Sequence, residues 1–309
     1  MSKTALLFAG QGAQVVGMGK DLCEAFPSAQ GWFDRANAAL GYDLGALCFG
    51  GPEAELTKTE HAQPGIFLVS WAAFELLKER APSLSYEAAA GLSLGEFTAL
   101  AAAGAMTFED GLKLVRQRGR FMQEACETTQ GGMAAVIGLE EGPTREVCAE
   151  AGVVLANLNC PGQLVISGEI EKIMKACDLA KAKGARKAVP LPVAGAYHSP
   201  LMAAAQGKLK VELDGANLKP PNIPVVSNVT ALPHGDIESV RARLVEQVTS
   251  SVRWEESMRF LLAQGFTRFI ELGPSTALTG FMKRINKEAQ ILNVANVGSL
   301  EATAKALIG

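Results

Sequence analysis

Residues 91–95 read Gly-Leu-Ser-Leu-Gly and match the G-x-S-x-G pattern of a nucleophile elbow. In such an elbow a strand turns sharply into a helix, and the flanking glycines let neighbouring backbone approach without a clashing Cβ. The small residues before Ser93 suit a strand, and the residues after it suit a helix whose amino terminus stabilises an oxyanion. The pattern predicts that Ser93 is a nucleophile, although the five residues alone are also compatible with an ordinary glycine-rich turn.

A serine nucleophile needs a base, and the chain has three histidines, His61, His198 and His234. His61 lies where a loop meets a helix pattern, and His234 lies in a turn-forming Leu-Pro-His-Gly-Asp segment. His198 precedes a Ser-Pro pair typical of a helix start, and catalytic groups are often held on such loops. We therefore predict that His198 is the base, with a purely structural histidine as the alternative.

No carboxylate in the sequence fits the acid of a catalytic triad. An α/β-hydrolase would carry that acid between the serine and the histidine. The aspartates in this interval are Asp110, at a helix start, and Asp178, within a helix, and the glutamates lie on charged helix faces. The sequence therefore favours a Ser–His dyad whose histidine is oriented by a carbonyl or an amide.

One arginine lies on the apolar face of a predicted helix over residues 107–126. Arg116 and Arg120 point away from that face, whereas Arg118 shares it with Gly111, Leu114, Val115, Phe121, Met122 and Ala125. A guanidinium in apolar surroundings is costly unless an anion meets it, and its planar fork suits a carboxylate. The pattern predicts a carboxylate-binding arginine. An internal salt bridge, or a side chain that reaches solvent along the helix edge, is the alternative.

The glycines after the first predicted strand do not form a nucleotide site. The dinucleotide fingerprint needs a third glycine where Val15 stands, and a Walker A loop needs lysine where Met18 stands. The remaining loop could present Gln11 and backbone N–H groups to a ligand. We predict this loop either as a donor to an oxyanion or as a turn without a ligand.

The elements that hold these residues follow an α/β order. Short apolar strands alternate with helix patterns in the first part of the chain, as in a parallel sheet covered by helices. One long helix pattern begins at Pro64 and ends at Arg80, and a later strand is predicted over residues 223–228. The stretch from about residue 130 reads β-α-β-β-α-β, the order of a ferredoxin-like unit. We predict a large α/β subdomain of residues 1–127 and 194–309, with a ferredoxin-like small subdomain, 128–193, inserted in it.

Composition limits the function further. The formal charge of −3 gives no broad basic field, so nucleic-acid binding has no support. The apolar run of residues 5–9 is too short for a signal segment or a membrane span. The six cysteines are scattered without metal-ligand spacing. We expect a cytoplasmic protein without a metal site.

Several longer stretches together resemble one family, the malonyl-CoA:acyl carrier protein transacylases of bacterial type II fatty acid synthesis. These stretches are LLFAGQGAQVVGMGKDL, TEHAQPGIF, AGLSLGEFTALAAAGAM, VRQRGRFMQEA, LANLNCPGQLVISG, AYHSPLM, PVVSNVTA and VEQVTSSVRWEESM. Their order and spacing match from residue 4 to near the end of the chain. The resemblance implies an α/β-hydrolase-like parallel-sheet body with an inserted ferredoxin-like subdomain.

The resemblance also implies an acyltransferase with a ping-pong mechanism. Malonyl would pass from malonyl-CoA to a serine ester and then to the phosphopantetheine thiol of acyl carrier protein. We expect a monomer that needs no cofactor and binds neither nucleic acid nor membrane. The implied roles are Ser93 as nucleophile, His198 as base and acid, Gln11 and Leu94 as oxyanion N–H donors, Arg118 as the ligand of the malonyl carboxylate, Gln247 as a residue that orients the histidine, and Met122 and Tyr197 as further substrate-binding residues.

Two residues depart from the family's pattern. Leu92 stands where many members have histidine before the nucleophile, and Tyr197 stands where malonyl-selective members often have phenylalanine. A ring at position 197 narrows the space for an α-methyl group, so malonyl is favoured over methylmalonyl. The alternatives are a discrete acyltransferase of polyketide synthesis, a serine hydrolase of thioesters, and a binding module with an inactive elbow.

Overall fold

The computed structural model describes residues 2–308, which form two sheets and the helices around them. The strands are β1 (Lys3–Phe8), β2 (Ala88–Gly91), β3 (Gly131–Ile137), β4 (Val154–Cys160), β5 (Gln163–Glu169), β6 (Lys187–Pro190), β7 (Val225–Val226), β8 (Phe266–Leu272) and β9 (Gln290–Val294). The helices are α1 (Lys20–Ala25), α2 (Pro27–Leu40), α3 (Leu44–Gly50), α4 (Glu53–Leu56), α5 (Thr59–Arg80), α6 (Leu94–Ala102), α7 (Phe108–Thr128), α8 (Glu141–Ala151), α9 (Ile170–Ala182), α10 (Ala203–Gly215), α11 (Ile237–Gln247), α12 (Trp254–Ala263), α13 (Ala277–Ile285) and α14 (Val297–Ile308). Within this range no helix combines the length and the apolar character needed to cross a membrane.

The larger sheet is parallel, with the strand order β7-β2-β1-β8-β9. Its central strand β1 is an unbroken apolar run from Ala5 to Phe8, as expected for a parallel strand covered on both faces. Phe8 is in register with Gly91 of β2 and with Leu272 of β8, so these three strands end level with one another. The loops that follow β1 and β2 therefore leave the same edge of the sheet, the edge at which α/β proteins bind ligands.

The smaller sheet is antiparallel, with the order β4-β5-β3-β6. Helices α8 and α9 connect its strands in the sequence β3-α8-β4-β5-α9-β6, which is the ferredoxin-like order predicted from the sequence. Apolar side chains of α8 and α9 share one core with alternate residues of the strands, including Ala134, Val136 and Ile166. The predicted fold class, an α/β body with a ferredoxin-like subdomain, is confirmed.

The structure differs from the predicted elements at two places. Helix α5 begins at Thr59, five residues before the proline at which its pattern was expected to start, because the His61 and Ala62 N–H groups donate to the Lys58 carbonyl and close an extra turn. Strand β7 covers only two of the residues 223–228, because a turn follows in which the Ala231 N–H donates to the Ser227 carbonyl.

Backbone contacts divide the chain into two compact units. One consists of Met1–Gly119, Ala216–Val226 and Leu261–Gly309 and contains the parallel sheet. The other consists of Arg120–Gly215 and Ser227–Phe260 and contains the antiparallel sheet. The subdomain boundaries expected from the sequence, near residues 127 and 194, stay a prediction.

Candidate active site

Ser93 lies on the sharp turn between β2 and α6 and has the backbone angles φ 53° and ψ −106°. A positive φ is unfavourable for a residue with a Cβ, typically by about 1–3 kcal/mol, and persists only where the surroundings fix it. Here they do, because a Cβ on Gly91 would overlap the Gly95 backbone and a Cβ on Gly95 would overlap the Phe8 carbonyl. The elbow geometry predicted for residues 91–95 is therefore present. The nucleophilic role of Ser93 stays a prediction.

The backbone N–H groups of Leu94 and Gln11 lie near this turn and donate to no acceptor among the described residues. Leu94 is the first residue of α6, where an N–H has no partner inside the helix and the helix dipole is positive. The loop that carries Gln11 touches the elbow, because a Cβ on Gly10 would lie 2.5 Å from the Leu92 carbonyl oxygen. These donors fit the predicted oxyanion site. Leu92, the residue that departs from the family pattern, is half-buried against this loop.

Arg118 is buried, with 1% of its surface exposed, whereas Arg116 is half-buried and Arg120 exposed. Its Nη1 donates to the Gln63 Oε1 at 2.8 Å, and its Nη2 donates to the Ser93 Oγ at 3.0 Å. The guanidinium also lies over the ring of Phe97, 5.4 Å from the centroid. The predicted burial is confirmed, and the alternative of a side chain that reaches solvent is wrong.

Gln63 extends this contact to the loop after β1. It is fully buried on α5, and its Nε2 donates to the Gln11 Oε1 at 3.3 Å. The Gln11 Nε2 in turn donates to the Thr59 Oγ1 at 3.4 Å. Gln63 was not among the residues predicted from the sequence. The sequence gives little signal for it, because Gln63 follows the polar residues Thr59, Glu60 and His61 and directly precedes Pro64, a setting in which glutamine is usually exposed.

Helices α5 and α7 approach closely at this point. A Cβ on Gly119, the residue after Arg118, would lie 2.5 Å from the Thr59 carbonyl oxygen and 3.0 Å from the Glu60 Cα. A residue with a side chain at position 119 would therefore push the two helices apart. Glycine at this position brings the guanidinium of α7 within reach of the amide of α5.

In the unit that contains the antiparallel sheet, His198 is 4% exposed and also has a positive φ, 58°. Its Nδ1 lies 2.9 Å from the Gln247 carbonyl oxygen. Because a carbonyl only accepts, Nδ1 carries the proton in this contact, and Nε2 of a neutral ring keeps its lone pair. The sequence favoured a carbonyl or an amide as the orienting group. In the structure the group beside Nδ1 is the carbonyl of Gln247, while the side chain of that residue donates to the Asn228 Oδ1 at 3.4 Å.

Two further residues predicted to contact substrate are almost fully buried. Met122 is 2% exposed on α7, one turn after Arg118. Tyr197, beside His198, is 7% exposed, and its hydroxyl interacts with the Cys126 thiol. Burial raises the pKa of that thiol, and the Tyr197 hydrogen bond opposes the rise in part. The tyrosine hydroxyl therefore has a hydrogen-bond partner, which lowers the free-energy cost of burying a tyrosine at this position.

A cleft of 390 Å³ opens beside His198. It is lined by Val154, Leu155, His198, Pro200, Val229, Thr249, Ser250, Ser251 and Arg253. The charge of Arg253 is offset by Glu256, to which its Nε donates at 2.8 Å. The lining therefore combines apolar walls, hydroxyl groups and a neutralised cation, which suits a flexible uncharged chain with amide groups.

His61 lies in the first turn of α5, with its Nδ1 3.0 Å from the Glu55 carbonyl oxygen, and His234 lies in the segment before α11. Across residues 2–308 there is no group of three or more histidine, cysteine, aspartate or glutamate side chains that could hold a metal ion.

The chain matches the family model of the acyl transferase domain over residues 5–307. It is 43% identical to the malonyl CoA-acyl carrier protein transacylase of Bacillus subtilis (strain 168), over 99% of this chain and 98% of that protein. Among solved structures, the malonyl-CoA:acyl carrier protein transacylase of Xanthomonas oryzae superposes with a TM-score of 0.95 at 41% identity, over 99% of this chain and 98% of that one. A malonyl-transacylase in complex with its type II PKS acyl-carrier protein superposes with a TM-score of 0.96 at 39% identity, over 99% and 100%.

Proposed function

Because this chain belongs to the acyl transferase domain family, and within it to the malonyl CoA-acyl carrier protein transacylases, we propose that it moves malonyl from malonyl-CoA to the phosphopantetheine thiol of acyl carrier protein. The reaction passes through a malonyl ester of Ser93. It requires no cofactor, because the thioester supplies the activated acyl group.

The observation that carries this proposal is the buried guanidinium beside the serine. The Arg118 Nη2 lies 3.0 Å from the Ser93 Oγ, so a carboxylate bound by the arginine is held close to the attacking atom. In malonyl thioesters one methylene separates the carboxylate from the thioester carbonyl. Binding of the carboxylate therefore brings the carbonyl to the serine and fixes its orientation.

The hydrogen bond between Arg118 and Ser93 belongs to the resting state of this mechanism. When malonyl binds, its carboxylate takes the Nη2 donor in place of the Ser93 Oγ. The charge of the guanidinium is then met by the substrate, and the serine oxygen is released for attack. An acyl group without a carboxylate gains no such contact.

In the first half-reaction the Ser93 hydroxyl gives its proton to the Nε2 of His198 and attacks the thioester carbonyl. The Leu94 and Gln11 N–H groups stabilise the oxyanion, and the CoA thiolate leaves with the proton from His198. In the second half-reaction the carrier thiol gives its proton to His198 and attacks the serine ester, and the Ser93 oxygen leaves with the proton from His198, which restores the hydroxyl. The hydrogen bond of Nδ1 to the Gln247 carbonyl supports this role, because it leaves Nε2 as the basic nitrogen.

The cleft beside His198 is the proposed path of the pantetheine arm. The arm is common to CoA and to the carrier protein, and it is uncharged and rich in amides, as the lining requires. We assign the chain to fatty acid synthesis. A carrier of polyketide synthesis presents the same arm, so the choice of carrier is decided by the protein surface around the arm.

We place the enzyme in the cytoplasm as a monomer. All six cysteines are free thiols, which suits a reducing compartment. One chain supplies the serine, the arginine and the histidine of the proposed mechanism, so no second copy is needed. Light scattering during size-exclusion chromatography should give the mass of one chain. An active dimer would contradict this assignment.

The transfer itself is tested with purified holo-acyl carrier protein and malonyl-CoA. Mass spectrometry of the carrier should show the added malonyl group only when the enzyme is present, and the Ser93→Ala variant should add none above background. Release of free malonate at the same rate with and without the carrier would indicate a thioester hydrolase instead.

A further inference from the structure

We propose that Gln63 is a positioning residue that sets malonyl selectivity, because it anchors the Arg118 guanidinium without neutralising it. This inference rests on the proposed function and adds a residue to the recognition of the acyl group. Gln63 is fully buried and contacts the guanidinium directly.

The orientation of the Gln63 amide is fixed by the groups around it. Its Oε1 accepts from the Arg118 Nη1 at 2.8 Å, and its Nε2 donates to the Gln11 Oε1 at 3.3 Å. If the amide were reversed, an N–H group would face the guanidinium donors and a carbonyl would face a carbonyl. Only one orientation of the side chain therefore forms both hydrogen bonds.

The neutrality of this acceptor matters for the substrate. A carboxylate at position 63 would pair with Arg118 and offset its charge before malonyl arrived. An apolar side chain would leave Nη1 buried without this acceptor. An amide holds one arm of the guanidinium in place and leaves the positive charge to be met by the carboxylate of the substrate.

The same side chain connects two parts of the proposed mechanism. Its Oε1 holds the arginine that binds the malonyl carboxylate, and its Nε2 holds the side chain of Gln11, whose backbone N–H is a proposed oxyanion donor. Oxyanion stabilisation serves every acyl group alike, whereas the guanidinium serves only an acid. A change in the ratio of malonyl to acetyl transfer therefore reports the effect of Gln63 on Arg118, because an effect on the oxyanion donors would change both rates alike.

The experiment compares the wild type with Gln63→Glu and Gln63→Met in the full chain. We measure kcat/KM for malonyl-CoA and acetyl-CoA with holo-carrier protein, together with the melting temperature. Gln63→Glu should lower the malonyl-to-acetyl ratio about tenfold to a hundredfold, the range expected when a charge-assisted hydrogen bond to substrate is lost. Gln63→Met should lower the ratio less and mainly through a higher KM for malonyl-CoA, because the charge remains but its position is not fixed. If the Gln63→Glu variant does not fold, the Gln63→Met variant alone provides the test.

The matched control is Ser70→Ala, a buried polar residue on the same helix. Its Oγ has no hydrogen-bond partner among the described residues, and the variant should keep the wild-type ratio. If both Gln63 variants keep the ratio, or lower malonyl and acetyl transfer equally, Gln63 does not act through Arg118 and the inference is overturned. A wild type that transfers no malonyl would instead overturn the proposed function.

Discussion

At the residue scale, the site combines two unfavourable features, a serine with a positive φ and an arginine without access to solvent. Each is stabilised by specific neighbours, the elbow glycines for Ser93 and the amide of Gln63 for Arg118. Such features persist in folded proteins only where their surroundings hold them in place. Both lie where the proposed acyl transfer needs them.

The sequence predicted part of this arrangement. The position of Arg118 in an apolar stripe was sufficient to predict its burial, because helix periodicity places it inside. It was not sufficient to identify Gln63 as its partner, because the contact joins residues 55 positions apart. The sequence also did not show which carbonyl would contact the Nδ1 of His198. Every residue has a backbone carbonyl, and only the fold brings that of Gln247 to the ring.

Arg118→Ala should reduce malonyl transfer far more than acetyl transfer, because only malonyl has a carboxylate for the guanidinium. We expect the malonyl-to-acetyl ratio of kcat/KM to fall about a hundredfold, as for the loss of paired charge-assisted hydrogen bonds. The ratio is measured with both CoA esters under the same conditions. An equal decrease for the two substrates would contradict the role of Arg118 as carboxylate ligand.

His198→Ala should abolish the formation of the serine ester, because no group would then take the serine proton. His61→Ala is the matched histidine control and should keep the wild-type acylation rate, since His61 contacts the Glu55 carbonyl at the start of α5. Acylation is followed by intact mass after rapid mixing with malonyl-CoA. Loss of activity in His61→Ala, with an active His198→Ala, would reverse the assignment of the base.

At the element scale, the site depends on close backbone contacts that glycines permit. Gly91 and Gly95 let β2, α6 and the end of β1 meet around the elbow, and Gly119 lets α7 approach α5. The strand–elbow–helix order and the ferredoxin-like order were predictable because periodicity and turn residues encode them locally. The extra first turn of α5 was not predictable, because a proline commonly marks the start of a helix. In the structure the helix starts earlier, at Thr59, where N–H groups of the first turn donate to the Lys58 carbonyl.

Gly119→Ala tests the contact between α5 and α7. The new methyl group would lie 2.5 Å from the Thr59 carbonyl oxygen, so the helices must separate, and we expect a loss of stability of about 1–3 kcal/mol. The malonyl-to-acetyl ratio should also fall, because the guanidinium of the preceding residue moves relative to Gln63. Thermal unfolding and the two transfer rates provide the measurements.

The control for this variant is Gly31→Ala in α2, where an added Cβ meets nothing within 4 Å. It should be neutral or slightly stabilising, as alanine is at an open helical position. If Gly119→Ala behaves like Gly31→Ala in both stability and ratio, the helix contact does not position Arg118.

At the scale of the whole molecule, five of the six cysteines are buried small side chains, and the proposed chemistry belongs to the serine. Burial is the main cause that raises the pKa of the Cys23 and Cys48 thiols to about 12 and that of Cys148 to about 11. Cys23 is the only one of the six that is not buried, and nearby carboxylates also raise its pKa.

Native protein should therefore resist alkylation. At pH 8 a thiol with a pKa of about 12 is ionised about a thousandfold less than one at the ordinary value of 9, and it reacts correspondingly more slowly. Iodoacetamide followed by mass spectrometry should leave Cys23 unmodified in the folded protein and label all six cysteines in denaturant. Rapid labelling of Cys23 in the native state would contradict the raised pKa of its thiol.

The central claim is that malonyl forms an ester with Ser93 after it leaves CoA and before it reaches acyl carrier protein. The most direct measurement is peptide mass spectrometry of the enzyme after malonyl-CoA is added alone, and again after holo-acyl carrier protein is added. The mechanism predicts a malonyl ester on the Ser93 peptide that disappears as malonyl-carrier forms in equal amount. A carrier that becomes malonylated without an ester on Ser93, or an ester on another residue, would contradict it.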